Sequence, residues 1–153
     1  MMSKMTLIFT LFLFVILLSP SFGFGAVQDF CIADYTSQET PSGFPCKDKS
    51  NVTGRDFVFS GLGPRTNTSN ILKAGTAVAF YNTFPGVNGL GLALARADLE
   101  AGGVIPLHTH PRGSEILILI EGTLISSLVT SDNKVHLTTL KKGDVMVYPH
   151  YKK

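Results

Sequence analysis

Apolar and polar residues alternate in short runs through the second half of the chain. From Thr76 onward these runs are separated by Gly, Pro, Asn and Asp. Alternation with a period of two is typical of strands in a half-buried sheet, and evenly spaced turn residues are typical of β-sandwiches and barrels. The pattern predicts strands at residues 76–81, 91–98, 105–110, 115–120, 123–130, 135–140 and 145–148. No window of helical length keeps a period of 3.6 residues, so we predict an all-β fold.

The first 25 residues follow a different pattern. A short start containing Lys4 precedes an uncharged, mostly apolar run over residues 6–18, and small residues follow near position 25. This three-part order is typical of a secretory signal peptide. A membrane-spanning helix needs about 20 apolar residues, which is longer than this run. We therefore predict a signal peptide at residues 1–25 and a secreted protein without a membrane anchor.

Residues 26–70 contain four Gly and three Pro and no sustained helical period, and they predict an irregular N-terminal arm. Cys31 and Cys46 are the two cysteines of the chain, and the oxidising environment of a secreted protein favours a disulfide between them. The alternative is a pair of free, buried thiols. Asn51 and Asn67 each begin an N-glycosylation sequon in a polar stretch that we expect to be exposed.

Composition and charge exclude several classes of partner. Charged residues make up 16% of the 153 residues, and the formal net charge is +2. A chain with this balance has neither a polybasic arm for nucleic acid nor a basic surface for anionic lipid, and its apolar content is too high for a disordered tail. We therefore expect no nucleic-acid partner and no membrane partner.

The segment at residues 102–115 carries the residues from which we expect chemistry. On a strand, residues two apart project from the same face, so His108 and His110 would present both imidazoles to one point. A Pro-Arg-Gly turn then returns the chain to a strand that begins at Glu115, and its carboxylate would lie beside the two rings. Two neutral nitrogens and one anionic oxygen suit a borderline divalent ion such as manganese or iron.

Glu115 strengthens this interpretation. A His-x-His pair alone also occurs on surfaces and in hydrogen-bond networks. Glu115 precedes the apolar run at residues 116–120, and a buried carboxylate stays charged only with a cation or hydrogen bonds beside it. The alternative is a Glu115 that remains in solvent at the end of its strand or pairs with Arg112.

The spacing of these residues resembles that of a known family. Gly102, His108, His110, Glu115 and Gly122 follow the first motif of the germin and germin-like branch of the cupins. The resemblance extends to residues 28–31, 43–46, 84–88, 96–98 and 142–149, and therefore covers essentially the whole chain after the signal peptide. In detail the sequence is most similar to the germin-like proteins described as auxin-binding.

The resemblance implies a glycoprotein of the plant apoplast or cell wall, a cupin (jelly-roll-like) β-barrel that holds manganese, and a homo-oligomer, specifically a hexamer. His108, His110 and Glu115 match three of the family's four metal ligands. The fourth is a further His, which in the family is followed by more strands and helices. His150 lies several positions before the expected ligand, and His136 lies in a polar-to-apolar alternation typical of a structural or exposed residue, so we assign neither to the metal.

The resemblance also predicts the organisation of the chain. We expect a disulfide-clipped arm at residues 26–70 and a partial cupin barrel at residues 71–153, truncated before its last strands and C-terminal helices. Such a barrel would leave backbone groups unpaired at its open edge. The chain would then be a fragment of a longer gene product or a short form of the protein.

Three functions remain open at this stage, and no residue is assigned a catalytic role. Manganese-dependent superoxide dismutation needs a redox-active ion with an open position. Oxalate oxidation is disfavoured, because Ala95 and Ile105 occupy the positions of two asparagines that hold oxalate in germins, and neither side chain can donate a hydrogen bond. The alternative is a non-catalytic cell-wall protein, or one that binds a small molecule such as an auxin in an apolar pocket near Ile105 and Leu107.

Overall fold

The computed structural model describes residues 28–150, so the predicted signal peptide lies outside the described residues. This part of the chain is built from six β-strands and three short 3-10 helices, which confirms the predicted all-β fold. The strands are Ala74–Ala79 (β1), Leu94–Leu99 (β2), Glu115–Ile118 (β3), Thr123–Val129 (β4), Val135–Lys141 (β5) and Val145–Tyr148 (β6). The 3-10 helices are Lys49–Asn51, Gly54–Phe57 and Pro85–Val87. Within residues 28–150, no helix has the length and apolar character needed to cross a membrane.

The strands pair antiparallel in three two-stranded sheets: β1 with β2, β3 with β6, and β4 with β5. The chain divides into two compact units, one ending at Gly102 and the other beginning at Gly103. The first unit contains the N-terminal arm, β1 and β2, and the second contains β3 to β6. The predicted boundary at residue 70 stays a prediction.

One predicted strand is absent, and the bounds of several others differ from those predicted. Residues 103–110 form no strand in the described part of the chain, so the prediction of a strand at residues 105–110 is wrong. A strand needs hydrogen bonds to a neighbouring strand, and an alternating sequence alone does not provide that neighbour. Among the shifted bounds, β2 begins at Leu94 rather than at residue 91. Gly89 and Gly91 take φ angles of 72° and 65°, which end the extended backbone before that point.

In the first unit, a disulfide joins Cys31 to Cys46, and the loop that it closes is held by Asn88. Asn88 is 2% exposed. Its Nδ2 donates to the Phe44 carbonyl at 2.8 Å, and its Oδ1 accepts from the Phe44 backbone N–H at 3.2 Å. A buried amide needs such partners. Here the Asn88 side chain pairs with the N–H and the C=O of the same loop residue, as the backbone of a neighbouring strand would.

Asp98, on β2, attaches the N-terminal arm to the first sheet. Its carboxylate accepts from Arg96 Nη2 at 2.8 Å and from the Thr66 backbone N–H at 2.8 Å. Arg96 Nη1 also donates to the carbonyls of Leu62 and Gly63, at 3.1 and 2.6 Å. The Arg96 hydrogen bonds, followed by that from the Thr66 backbone, hold the pKa of Asp98 well below its usual range.

In the second unit, the alternation of β3 and β6 separates two faces. Glu115 pairs with Tyr148 and Leu117 with Met146, and these residues are half-buried. The opposite face carries Ile116, Ile118, Val145 and Val147, each more than half exposed. This separation places Glu115 on the more buried face of its sheet.

The disulfide gives a first prediction. The double variant Cys31→Ser, Cys46→Ser should lose about 3 kcal/mol of unfolding free energy, because the unfolded chain regains the entropy of an open loop of this length. Urea denaturation followed by circular dichroism measures the loss. The single variant Ser42→Ala, inside the same loop, is the control and should change stability little. Equal stability of the double variant and the wild type would contradict the stabilising role.

The Asp98 network gives a second prediction. Asp98→Asn should lower the melting temperature at pH 7, because it removes the charge that Arg96 and Thr66 bind. Because the pKa of Asp98 is lower in the folded state than in the unfolded chain, its charge stabilises the fold fully at pH values above about 3.9, the ordinary Asp pKa. This contribution is lost as the pH falls below that value. The difference between wild type and variant should therefore shrink between pH 5 and pH 2. Asp29→Asn removes a charge from an exposed residue and is the control. A melting-temperature difference that does not change with pH would contradict the assignment.

Candidate metal centre

Two neighbouring stretches of the second unit position the predicted ligands. His108 and His110 lie on the irregular segment at residues 103–114, and Glu115 is the first residue of β3. Pairing of Glu115 with Tyr148 fixes the direction in which its side chain leaves the sheet. Residues 111–112 form the turn that brings the histidines back toward the start of β3.

The structure brings these three side chains together. His110 Nε2 lies 3.0 Å from Glu115 Oε2. The rings of His108 and His110 have centroids 5.0 Å apart and meet edge to face, with an interplanar angle of 84°. One nitrogen from each histidine and one carboxylate oxygen all lie within 4.8 Å of one another. In residues 28–150 this is the one group of three such side chains close enough to share a metal ion.

The chemistry of these donors fits a divalent ion. His108 Nδ1 lies 2.9 Å from the Pro106 carbonyl oxygen, so Nδ1 carries the proton and donates. In the neutral ring Nε2 then keeps its lone pair, as in metal-binding histidines whose other nitrogen donates to a carbonyl. The Glu115 carboxylate supplies the negative charge. Two imidazoles and one carboxylate are ligands that manganese, iron and zinc accept.

The site is open to solvent. The side chain of His110 is 54% exposed and that of Glu115 is 38% exposed. A metal ion held by three residues in such a site would keep positions for water or for a small ligand. The apolar residues that precede the histidines are exposed as well: Val104, Ile105 and Leu107.

The other two histidines lie outside this group. His136 is exposed on β5, opposite Leu128. The backbone N–H of His150 donates to Ser114 Oγ at 2.9 Å, and this bond connects the residues after β6 to the residue preceding Glu115. The His150 ring is not part of the group formed by His108, His110 and Glu115.

Tyr148 and Ser126 were not singled out by the sequence analysis. Tyr148 lies directly opposite Glu115, and its hydroxyl is hydrogen-bonded to Ser126 on β4. The alternation in β4 and β6 indicates the faces on which these residues lie. The sequence carries no signal for the register that sets Tyr148 opposite Glu115.

The remaining predicted sites lie elsewhere in the structure. Asn51 ends a 3-10 helix and is exposed. Asn67 is exposed, and its side-chain oxygen accepts from the Ser69 backbone N–H at 2.9 Å. Glycosylation of both residues stays a prediction. Ala95 pairs with Val78 in the first unit, and Ile105 belongs to the second.

Comparison with known proteins places the chain in a family. The cupin family profile matches residues 60–151. A germin-like protein of Morus alba is 57% identical over 90% of this chain and 65% of its own length. Auxin-binding protein ABP20 of Prunus persica is 55% identical over 97% of this chain and 69% of its own length. Germin-like protein subfamily 3 member 3 of Arabidopsis thaliana is 52% identical over 89% of this chain and 64% of its own length.

Solved structures give the same fold. An oxalate oxidase superposes with a TM-score of 0.77 at 31% identity, over 81% of this chain and 64% of its own. Peruvianin-I, described as a cysteine peptidase from Thevetia peruviana latex, superposes with a TM-score of 0.76 at 30% identity, over 82% and 78%. The chain spans 65% of the length of the Morus alba relative. From the matched profile, the identities and the shared fold, the chain belongs to the cupin family and is a germin-like protein.

Proposed function

We propose that this chain is a secreted, manganese-binding germin-like protein of the plant apoplast, with superoxide dismutation as its activity. The observation that supports the proposal is the convergence of His108, His110 and Glu115, with ligand atoms within 4.8 Å of one another on a solvent-accessible side of the second unit. Solvent access matters because superoxide is a small, short-lived anion that must reach the site by diffusion.

The donor set narrows the choice of metal. Imidazole and carboxylate ligands without a thiolate suit manganese, iron and zinc, and the germin-like motif that these residues follow selects manganese among them. When bound, manganese supplies the one-electron redox couple that dismutation requires. Each turnover converts two superoxide ions and two protons into dioxygen and hydrogen peroxide.

The protein's own residues would orient the metal ligands. The Pro106 carbonyl fixes the ring orientation of His108. The position of Glu115 at the start of β3 orients its carboxylate toward His110. Preorganised ligands of this kind lower the cost of binding the ion. Protons reach the exposed site from water.

Oxalate oxidation is disfavoured, although the superposed structure is titled an oxalate oxidase. A dianionic substrate needs hydrogen-bond donors beside the metal. By the family resemblance, Ala95 and Ile105 match the positions of the two germin asparagines, and their aliphatic side chains have no hydrogen-bond donor. Oxalate bound there would lack the hydrogen bonds that the two asparagines donate in germins.

The names of two relatives favour a second candidate, the binding of a small aromatic acid such as an auxin. ABP20 and ABP19a of Prunus persica are named auxin-binding proteins, at 55% and 56% identity. The exposed apolar residues Ile105 and Leu107 would contact the ring of such a ligand, and a carboxylate could bind the metal ion. In this case the protein would be a non-catalytic cell-wall component.

Secretion and assembly complete the proposal. The predicted signal peptide at residues 1–25, the Cys31–Cys46 disulfide and two exposed sequons all fit an extracellular glycoprotein. Ile116, Ile118, Val145 and Val147 form an exposed apolar face, and contiguous exposed apolar residues mark interaction surfaces. This face supports a homo-oligomer, specifically the hexamer that the family resemblance implies.

Metal binding gives a third prediction. The wild type should retain about one manganese ion per chain after dialysis, whereas His108→Ala should lose more than about 100-fold in affinity, because losing a ligand costs more than losing an outer partner of a ligand. Mass spectrometry of dissolved metal and calorimetric titration measure these quantities. His136→Ala is the matched control and should bind like the wild type. Equal affinity of His108→Ala and His136→Ala would contradict the site.

Superoxide dismutation gives a fourth prediction. The manganese-loaded wild type and His136→Ala should accelerate superoxide decay, and His108→Ala should not. Stopped-flow absorbance of superoxide measures the rate. Equal rates in all three proteins would remove this activity. Heat released on titrating the inactive wild type with indole-3-acetic acid would then favour the second candidate.

A further inference from the structure

Tyr148 occupies a defined position beside the candidate metal centre. It is the direct cross-strand partner of Glu115 in the β3–β6 sheet. Side chains of directly opposed residues leave the same face of a sheet, with Cβ atoms about 4.5–5.5 Å apart. Both residues are half-buried, whereas their neighbours Ile116 and Val147 are exposed on the other face. The Tyr148 ring therefore lies next to the Glu115 side chain.

The Tyr148 hydroxyl is held from the other sheet of the same unit. It forms a hydrogen bond with the hydroxyl of Ser126, which lies on β4 and is also half-buried. This bond connects the β3–β6 sheet to the β4–β5 sheet. A Tyr held in this way loses little conformational freedom when a ligand binds, so its hydroxyl is preorganised.

The two hydroxyls together have one hydrogen more than their mutual bond uses. Each hydroxyl can donate once and accept more than once, and either oxygen can be the donor in the bond between them. Among residues 28–150, neither hydroxyl has a second hydrogen-bond partner. One O–H group is thus free to donate to an acceptor on the Glu115 side of the sheet.

The hydroxyl donors next to the ligands in sequence, Thr109 and Ser114, are both exposed. Residues 104–107, which lead into the first histidine, are Val, Ile, Pro and Leu. Arg112 lies in the exposed turn between the histidines and β3 and carries a charged donor. The Ser126–Tyr148 pair is the donor that combines partial burial with a position on the Glu115 face.

We propose that the Ser126–Tyr148 hydroxyl pair determines which ligand binds, by donating the hydrogen bond that orients a small monoanion beside Glu115. This inference rests on the proposed metal site, because the anion is held there together with the ion. A hydrogen bond to a charged acceptor is about twice as strong as one to a neutral acceptor. The pair would therefore favour superoxide-sized anions over neutral molecules of the same size.

The test uses azide as a small monoanionic probe. The full chain and its variants are loaded with manganese, and the affinities for manganese and for azide are measured separately, the second by the change that azide causes in the manganese electron paramagnetic resonance spectrum. Tyr148→Phe should weaken azide binding about tenfold, the effect of one hydrogen bond to a charged group, with manganese affinity unchanged within about twofold. Ser126→Ala should weaken azide binding in the same direction, and Ser126→Thr, which keeps the hydroxyl, should restore it.

Two controls separate this role from structural effects. Tyr35→Phe removes a hydroxyl that donates to the Tyr81 carbonyl in the first unit and should leave azide affinity unchanged. Arg112→Gln tests the charged donor of the turn. The proposal is overturned if azide affinity is the same in wild type, Tyr148→Phe and Ser126→Ala, or if only Arg112→Gln lowers it. In those cases the metal site itself stands, whereas a wild type that binds no manganese overturns both proposals.

Discussion

The register between β3 and β6 is the constraint on which the candidate site depends. It places Glu115 opposite Tyr148 on the half-buried face and directs Ile116 and Val147 to the other face. Because strand side chains alternate, a slip of one residue would move Glu115 to the face that carries the isoleucines. Its carboxylate would then no longer meet His110. The histidines lie on an irregular segment, so the regular sheet fixes one ligand and the turn before it brings the other two within reach.

Polar side chains replace part of the hydrophobic core in the first unit. The buried apolar residues in the described part of this unit are few: Ile32, Ala33, Ala74 and Ala79. Asn88 is buried with its amide satisfied by the disulfide loop, and Asp98 binds Arg96 and the arm. Hydrogen bonds to a charged group contribute more than neutral ones. The arm is therefore held by specific polar contacts as well as by the disulfide.

Part of the second unit could be predicted from its alternation, because burial along β3 and β6 follows the period of two that the pattern indicates. The spacing of His108, His110 and Glu115 was enough to group the three residues, although the strand expected at residues 105–110 is absent from the described structure. A strand exists only where a partner supplies hydrogen bonds, and alternation does not identify that partner. For the same reason neither the position of Tyr148 nor the burial of Asn88 could be predicted, since each depends on contacts between residues far apart in the sequence.

The central claim is that two imidazoles and one carboxylate hold a single cation. Pulsed electron paramagnetic resonance of the manganese-loaded chain tests it most directly, because it counts the nitrogen nuclei coupled to the ion. The account predicts two coupled imidazole nitrogens in the wild type and in His136→Ala, and one in either His108→Ala or His110→Ala. A spectrum without nitrogen coupling in the wild type, or a coupling that disappears with His136, would contradict it.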